Sequence, residues 1–148
     1  MKLAHHIRIS VFSKEDEDAE AIKTALISLI NLDLEKEKLS LQERNAKGFE
    51  QKKIKVFEIT LAKERHTAAF IGYLTSHLSA EQKELLQRQT EGRIDHDLNF
   101  YLRLDKAKLF QGQYWITDEG DCFHIKISLA VFPKKLEKAI ELAKEMFK

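Results

Sequence analysis

The stretch Leu98-Asn99-Phe100-Tyr101-Leu102-Arg103-Leu104-Asp105 alternates apolar and polar side chains without a break. A period of two marks a β-strand with one buried face. Phe100, Leu102 and Leu104 point to the core, while Asn99, Tyr101, Arg103 and Asp105 point away. Two more segments share the pattern. Ile7, Ile9 and Val11 alternate with His6, Arg8 and Ser10 in a strand over Ala4–Phe12. Phe123, Ile125, Ile127, Leu129 and Val131 alternate with His124, Lys126 and Ser128 in a strand over Cys122–Phe132. A further strand, Lys53–Leu61, has Lys55, Phe57 and Ile59 on one face and Ile54, Val56 and Glu58 on the other, so both faces look partly covered.

Helical spacing fills the intervals. Ser13 is placed to cap a helix whose first turn holds Glu15, Asp16, Glu17 and Asp18, with Ala19, Ile22, Leu26, Leu29 and Ile30 on its apolar face. Lys63–Leu78 carries a stripe of Phe70, Ile71, Leu74 and Leu78. Ser79 followed by Gln82 predicts a capping box that starts a mostly polar helix ended near Gly92. Pro133 suits the first turn of a closing helix with Leu136, Ile140, Ala143 and Phe147 inward. Leu39 and Leu41 suggest a short strand, Asn45–Lys52 a hairpin loop, Lys106–Phe110 a turn or short helix, and Gln113–Thr117 a strand joined to the last one by a hairpin turn at Asp118–Asp121. These elements predict a single α+β domain over residues 1–148, a mainly antiparallel sheet with helices on one face.

Composition narrows the function. The chain has 148 residues, 43% hydrophobic and 33% charged, with a net charge of +1. That excludes a strongly basic nucleic-acid sponge but not a local basic face. No apolar run reaches the ~20 residues of a membrane span, and no signal peptide opens the chain. The single Cys122 forms no internal disulfide, which fits the reducing cytoplasm. There is no P-loop, dinucleotide-binding glycine pattern or nucleophile elbow, so no cofactor or small-molecule substrate is predicted.

The polar faces of the three alternating strands carry what chemistry there is. If those strands are neighbours, Arg8, Arg103 and Lys126 form a basic patch around Tyr101, suited to phosphates and an unstacked base. The alternative is a face covered by a second subunit. Asp95-His96-Asp97 is the most enzyme-like triplet, because carboxylates beside a histidine can hold a metal or move a proton. Yet adjacent residues in an extended segment point apart, and a polar turn ordered by Asp95 explains the triplet equally well. His5-His6 faces opposite sides of its strand and makes no ligand pair.

The stretch Arg93 to Lys106 followed by Gly112 resembles a family of small archaeal proteins described as predicted RNA-binding proteins and sometimes as exosome-associated. The similar residues are Arg93, Asp95, Asn99, Tyr101, Arg103, Asp105, Lys106 and Gly112. The resemblance implies an α+β sandwich like the fifth large-subunit ribosomal protein, RNA as partner and no catalysis. The chain departs from the family's pattern in two places. Ala107 stands where the family has Gln, and the family's glycine-rich loop is reduced to Gly48-Phe49, followed by Glu50-Gln51-Lys52, with Lys52 and Lys53 as side-chain substitutes. The expectation is therefore a cytoplasmic, non-catalytic protein that contacts structured RNA through Arg8, Lys55, Arg93, Arg103, Lys106, Lys108 and Lys126, with Tyr101 stacking. Two alternatives are a homodimeric assembly module using the same face and a metal-dependent enzyme at Asp95-His96-Asp97.

Overall fold

The computed structural model describes residues 2–47 and 52–148. The elements run β1 (Ala4–Ser13), α1 (Ala19–Ile30), β2 (Gln42–Lys47), β3 (Lys53–Leu61), α2 (Glu64–His77), α3 (Ala80–Arg88), β4 (Asn99–Asp105), α4 (Lys106–Phe110), β5 (Cys122–Leu129) and α5 (Leu136–Met146). The strands make one five-stranded sheet in the order β2-β3-β1-β5-β4. Every neighbouring pair is antiparallel.

Register turns the alternation into continuous apolar rows. Ile9 lies opposite Ile59 and Ile125, and Ile125 opposite Leu102. Val11 lies opposite Phe57 and Phe123, and Phe123 opposite Leu104. Directly paired residues share a face, so each row is a strip of core running across four strands. Helices α1 and α2 lie over β1, α5 over β5, and α3 packs beside α5. Ile22, Leu26 and Leu29 of α1 and Phe70 and Leu74 of α2 are buried in the same core. Phe147, just past α5, stacks on Phe100 of β4 with ring centres 5.2 Å apart. The α+β architecture read from the sequence is the one observed.

Several local readings are corrected. Ser13 is the last residue of β1, and Asp18 caps α1, accepting from the amides of Glu20 and Ala21. Ser79 caps α3 as expected, but the Gln82 side chain does not return to it. Its carbonyl instead accepts from the Ile116 amide at 2.7 Å. Leu39 and Leu41 pack against the core ahead of β2, which starts at Gln42 and runs to Lys47. Residues 113–117 and β5 do not form a hairpin: β4 lies between them, with Ile116 bridging Leu104 on one side and β5 on the other. Pro133 falls in the bend before α5, and the buried stripe is Ala139, Ala143 and Met146, while Leu136 is 44% exposed. The shortened loop at Gly48–Gln51 lies outside the described residues. Gly112 has φ +78°, and its amide bonds to the Leu109 carbonyl, closing α4 in a conformation that favours glycine.

The largest surprise is Lys106. It is 4% exposed, not a surface cation at a strand end. Its Nζ donates to the Phe12 carbonyl at 2.8 Å, to Asp121 Oδ1 at 2.7 Å and to Glu17 Oε1 at 3.1 Å. An ammonium has three protons, and all three are used. Lys106 therefore has no proton free for a phosphate while this clamp is made. Lys14 adds a second bond to Asp121 at 3.3 Å.

Replacing Lys106 removes the one donor that two carboxylates and a carbonyl share, leaving Asp121 with Lys14 Nζ and Glu17 with the Lys14 amide. Lys106→Met is expected to cost about 3 kcal/mol in urea denaturation at pH 7, whereas Lys108→Met costs less than about 0.5 kcal/mol. The Lys106 hydrogen bond, opposed by desolvation, holds the Asp121 carboxyl below its ordinary value. A depressed carboxyl stabilises the fold above its unfolded pKa, near 4, and that gain is lost as pH falls through the folded value. Denaturation from pH 5 downward should therefore show a steeper loss of stability for the parent than for Lys106→Met.

Candidate nucleic-acid interface

The sheet face away from the helices is built from the polar positions of β1, β3, β4 and β5. Because β4, β5 and β1 are adjacent, Tyr101 lies opposite Lys126, Lys126 opposite Arg8, and Arg8 opposite Thr60. The next row is Arg103, His124, Ser10 and Glu58. The structure thus brings together Arg8, Lys126, Arg103 and Tyr101. Among the described residues, none of these three cations is in an ion pair. Arg103 spends one guanidinium N–H on the Asp118 carbonyl at 2.9 Å.

The histidines on this face register its field. Burial lowers the His6 pKa, and the charges of Lys126 and Arg8 lower it further. Burial also lowers the His124 pKa, with Arg103 as the next cause. Burial comes first for both rings, and cations that are not neutralised by carboxylates disfavour a second positive charge there in the same direction.

A tight turn positions Tyr101. Asp95 Oδ1 accepts from the amides of Asp97 and Asn99, and Oδ2 accepts from Asn99 Nδ2 and from the Tyr101 hydroxyl at 2.9 Å. These bonds hold Leu98 at φ +64°, a conformation that a leucine seldom adopts. Burial opposes ionisation of Asp95, but the bonds from Asn99, Tyr101 and Asp97 prevail and lower its pKa. Arg93 supports the same strand from below, donating to Gln89 Oε1 at 3.1 Å and to the Tyr101 carbonyl at 3.3 Å. Beside this network lies a groove of about 730 Å³ lined by Arg88, Gln89, Arg93, Tyr101, Arg103 and Asp118.

The other predicted positions lie elsewhere. Lys55 is on the helix side of the sheet, in phase with buried Phe57, and its Nζ is 3.5 Å from Glu43. Its place among the face contacts is therefore corrected. Lys108 sits on α4 with its Nζ 5.4 Å over the Trp115 ring. Lys106 belongs to the internal clamp. Two side chains that the sequence reading passed over do belong to the region. Arg88 reaches the groove from the end of α3, and Phe12 stands exposed on the open face in phase with Arg8 and Ser10.

The enzyme-like triplet comes apart. Asp95 is committed to the turn, while the His96 side chain is 91% exposed with only Asp97 beside it, at 3.5 Å. Among the described residues, no three His, Cys, Asp or Glu side chains converge to hold a metal. The buried Cys122 thiol is pushed up to about 11 by desolvation, which disfavours the reactive thiolate. Among the described residues, no helix is long and apolar enough to cross a membrane.

Comparison with known proteins identifies the family. The chain is 28% identical over 142 residues to an RNA-binding protein of Pyrococcus abyssi, covering 96% of this chain and 92% of that one. It is similar to a crystal structure from Archaeoglobus fulgidus assigned to the DUF54 family, with 29% identity, a TM-score of 0.85 and coverage of 97% and 99%. A second DUF54 structure, from Methanothermobacter thermautotrophicus, gives 26% identity, a TM-score of 0.79 and coverage of 99% of each chain. A family model described as RNA binding matches residues 6–129, nearly the whole sheet and the helices α1 to α4, and the chain belongs to that family.

Proposed function

We propose that this protein binds RNA, without catalysis, through the open face of β4, β5 and β1. The supporting observation is the pair of rows that put Arg8, Lys126 and Arg103 side by side with no carboxylate partner among the described residues. Phosphates supply the missing counter-charge. Arg88 extends the basic field into the adjoining groove, and Arg93 acts by holding the strand that carries Tyr101. The family's RNA-binding description and the name of the Pyrococcus relative support the same partner. Glu58, beyond Ser10 in the second row, bounds the field on the β3 side.

The salt dependence of binding tests this site. Four cations on the path predict a slope of log Kobs against log salt on the order of −3 for a single strand. An Arg8→Ala/Lys126→Ala double variant should weaken binding to every RNA sequence alike and flatten that slope by about 1.4. An unchanged slope in a folded double variant would place the RNA elsewhere. Proton linkage gives an independent check. Bound phosphates offset the cations that depress His6 and His124, so both pKa values rise on binding and protons are taken up. Affinity should therefore increase as pH falls from about 8 to about 6, through the ordinary histidine range. Titration calorimetry in buffers of different ionisation enthalpy measures that uptake directly.

A further inference from the structure

Two exposed aromatic side chains stand at opposite corners of the basic field. Tyr101 is 40% exposed and Phe12 is 43% exposed. Tyr101 shares a row with Lys126 and Arg8, and Phe12 lies four residues beyond Arg8 on the same face of β1. At ~4.8 Å between strands and ~3.4 Å per residue, the two side chains are rooted roughly 17 Å apart. Lys126, Arg8, His124 and Arg103 occupy the ground between and beside them.

Both rings are held in place. The Tyr101 hydroxyl is fixed by Asp95. The Phe12 ring leans on His124 with centroids 6.0 Å apart, and its carbonyl is gripped by Lys106. A ring fixed in the outward phase of a strand adds little to the core, but it offers a flat apolar surface with no ordering cost left to meet.

The rings distinguish between kinds of RNA. An A-form duplex keeps its bases stacked inside and offers a protein only phosphates and ribose hydroxyls, so exposed rings gain little from it. An unpaired stretch offers phosphates and bases together. The separation of the rings suits about two or three bases of an extended strand, as on other sheet faces that stack RNA. We infer that the open face takes an unpaired RNA segment, with bases stacked on Tyr101 and Phe12 and the phosphates between them on Arg8, Lys126 and Arg103. This rests on the RNA-binding reading and adds the class of RNA: an unpaired stretch, such as a structured RNA displays in a loop.

Fluorescence anisotropy at low salt tests it, using a labelled single-stranded RNA of about ten alternating C and A residues and the duplex of that strand with its complement. The parent should prefer the single strand. Tyr101→Leu and Phe12→Leu should each weaken single-strand binding by about 5- to 100-fold while leaving duplex binding unchanged, and Tyr101→Phe should bind like the parent. Should Tyr101→Leu melt early through loss of the Asp95 bond, Phe12→Leu alone decides, since that side chain makes no hydrogen bond. Equal affinity for the duplex, or a folded Phe12→Leu that binds the single strand like the parent, overturns the unpaired-strand inference and leaves RNA binding standing. Absence of binding to either RNA overturns both.

Discussion

The Lys106 ammonium ties together one end of the molecule. Its three bonds reach the last turn of β1 through the Phe12 carbonyl, the approach to α1 through Glu17, and the approach to β5 through Asp121. The residue itself sits where β4 passes into α4. A charge this deeply buried is tolerable only when every proton has a partner. Here two of the partners are carboxylates that remain partly exposed, which limits the desolvation penalty on that side. The clamp fixes the ends of β1, β4 and β5 relative to one another. Those are the strands whose register brings Arg8, Lys126 and Arg103 together, so the proposed binding surface depends on a lysine that is not part of it.

The same period of two serves both faces of these strands. Inward positions make apolar strips across four strands, and outward positions make polar rows that hold Arg8, Lys126 and Arg103. A slip of one residue would exchange the two sets, so burial of Ile9, Ile125 and Leu102 also enforces the placement of Arg8, Lys126 and Arg103.

What the sequence revealed follows from which signals are local. Alternation in β1, β4 and β5 and the stripe of α1 are read from neighbours along the chain, and they held. Lys106 was misread because its partners Glu17 and Asp121 are distant in sequence, and no spacing rule brings them together. Lys55 sits in a strand with apolar residues on both faces, so its side could not be chosen from pattern alone. Residues 113–117 look like the first arm of a hairpin, but the chain crosses the end of β4 and pairs on its far side. Phe12 was the signal within reach. It continues the outward phase of His6, Arg8 and Ser10, and an aromatic residue in a polar phase marks a surface with a use.

The stretch from Arg93 to Lys106, by which the chain resembles its family, divides by function once the bonds are known. Asp95, Asn99 and Arg93 build the turn and brace β4. Asp105 caps α4 through the Lys108 amide, Gly112 closes that helix, and Lys106 forms the clamp. Of the residues that carry the resemblance, Tyr101 and Arg103 are the ones set on the open face of the sheet beside Lys126 and His124. Most of the motif is therefore scaffold, and its role is to hold one edge strand at a fixed register and angle. The other side chains of the proposed surface are Arg8 and Phe12 on β1 and Lys126 on β5, outside the motif. The stretch thus builds the frame, and the outward positions of β1 and β5, which lie outside it, complete the open face.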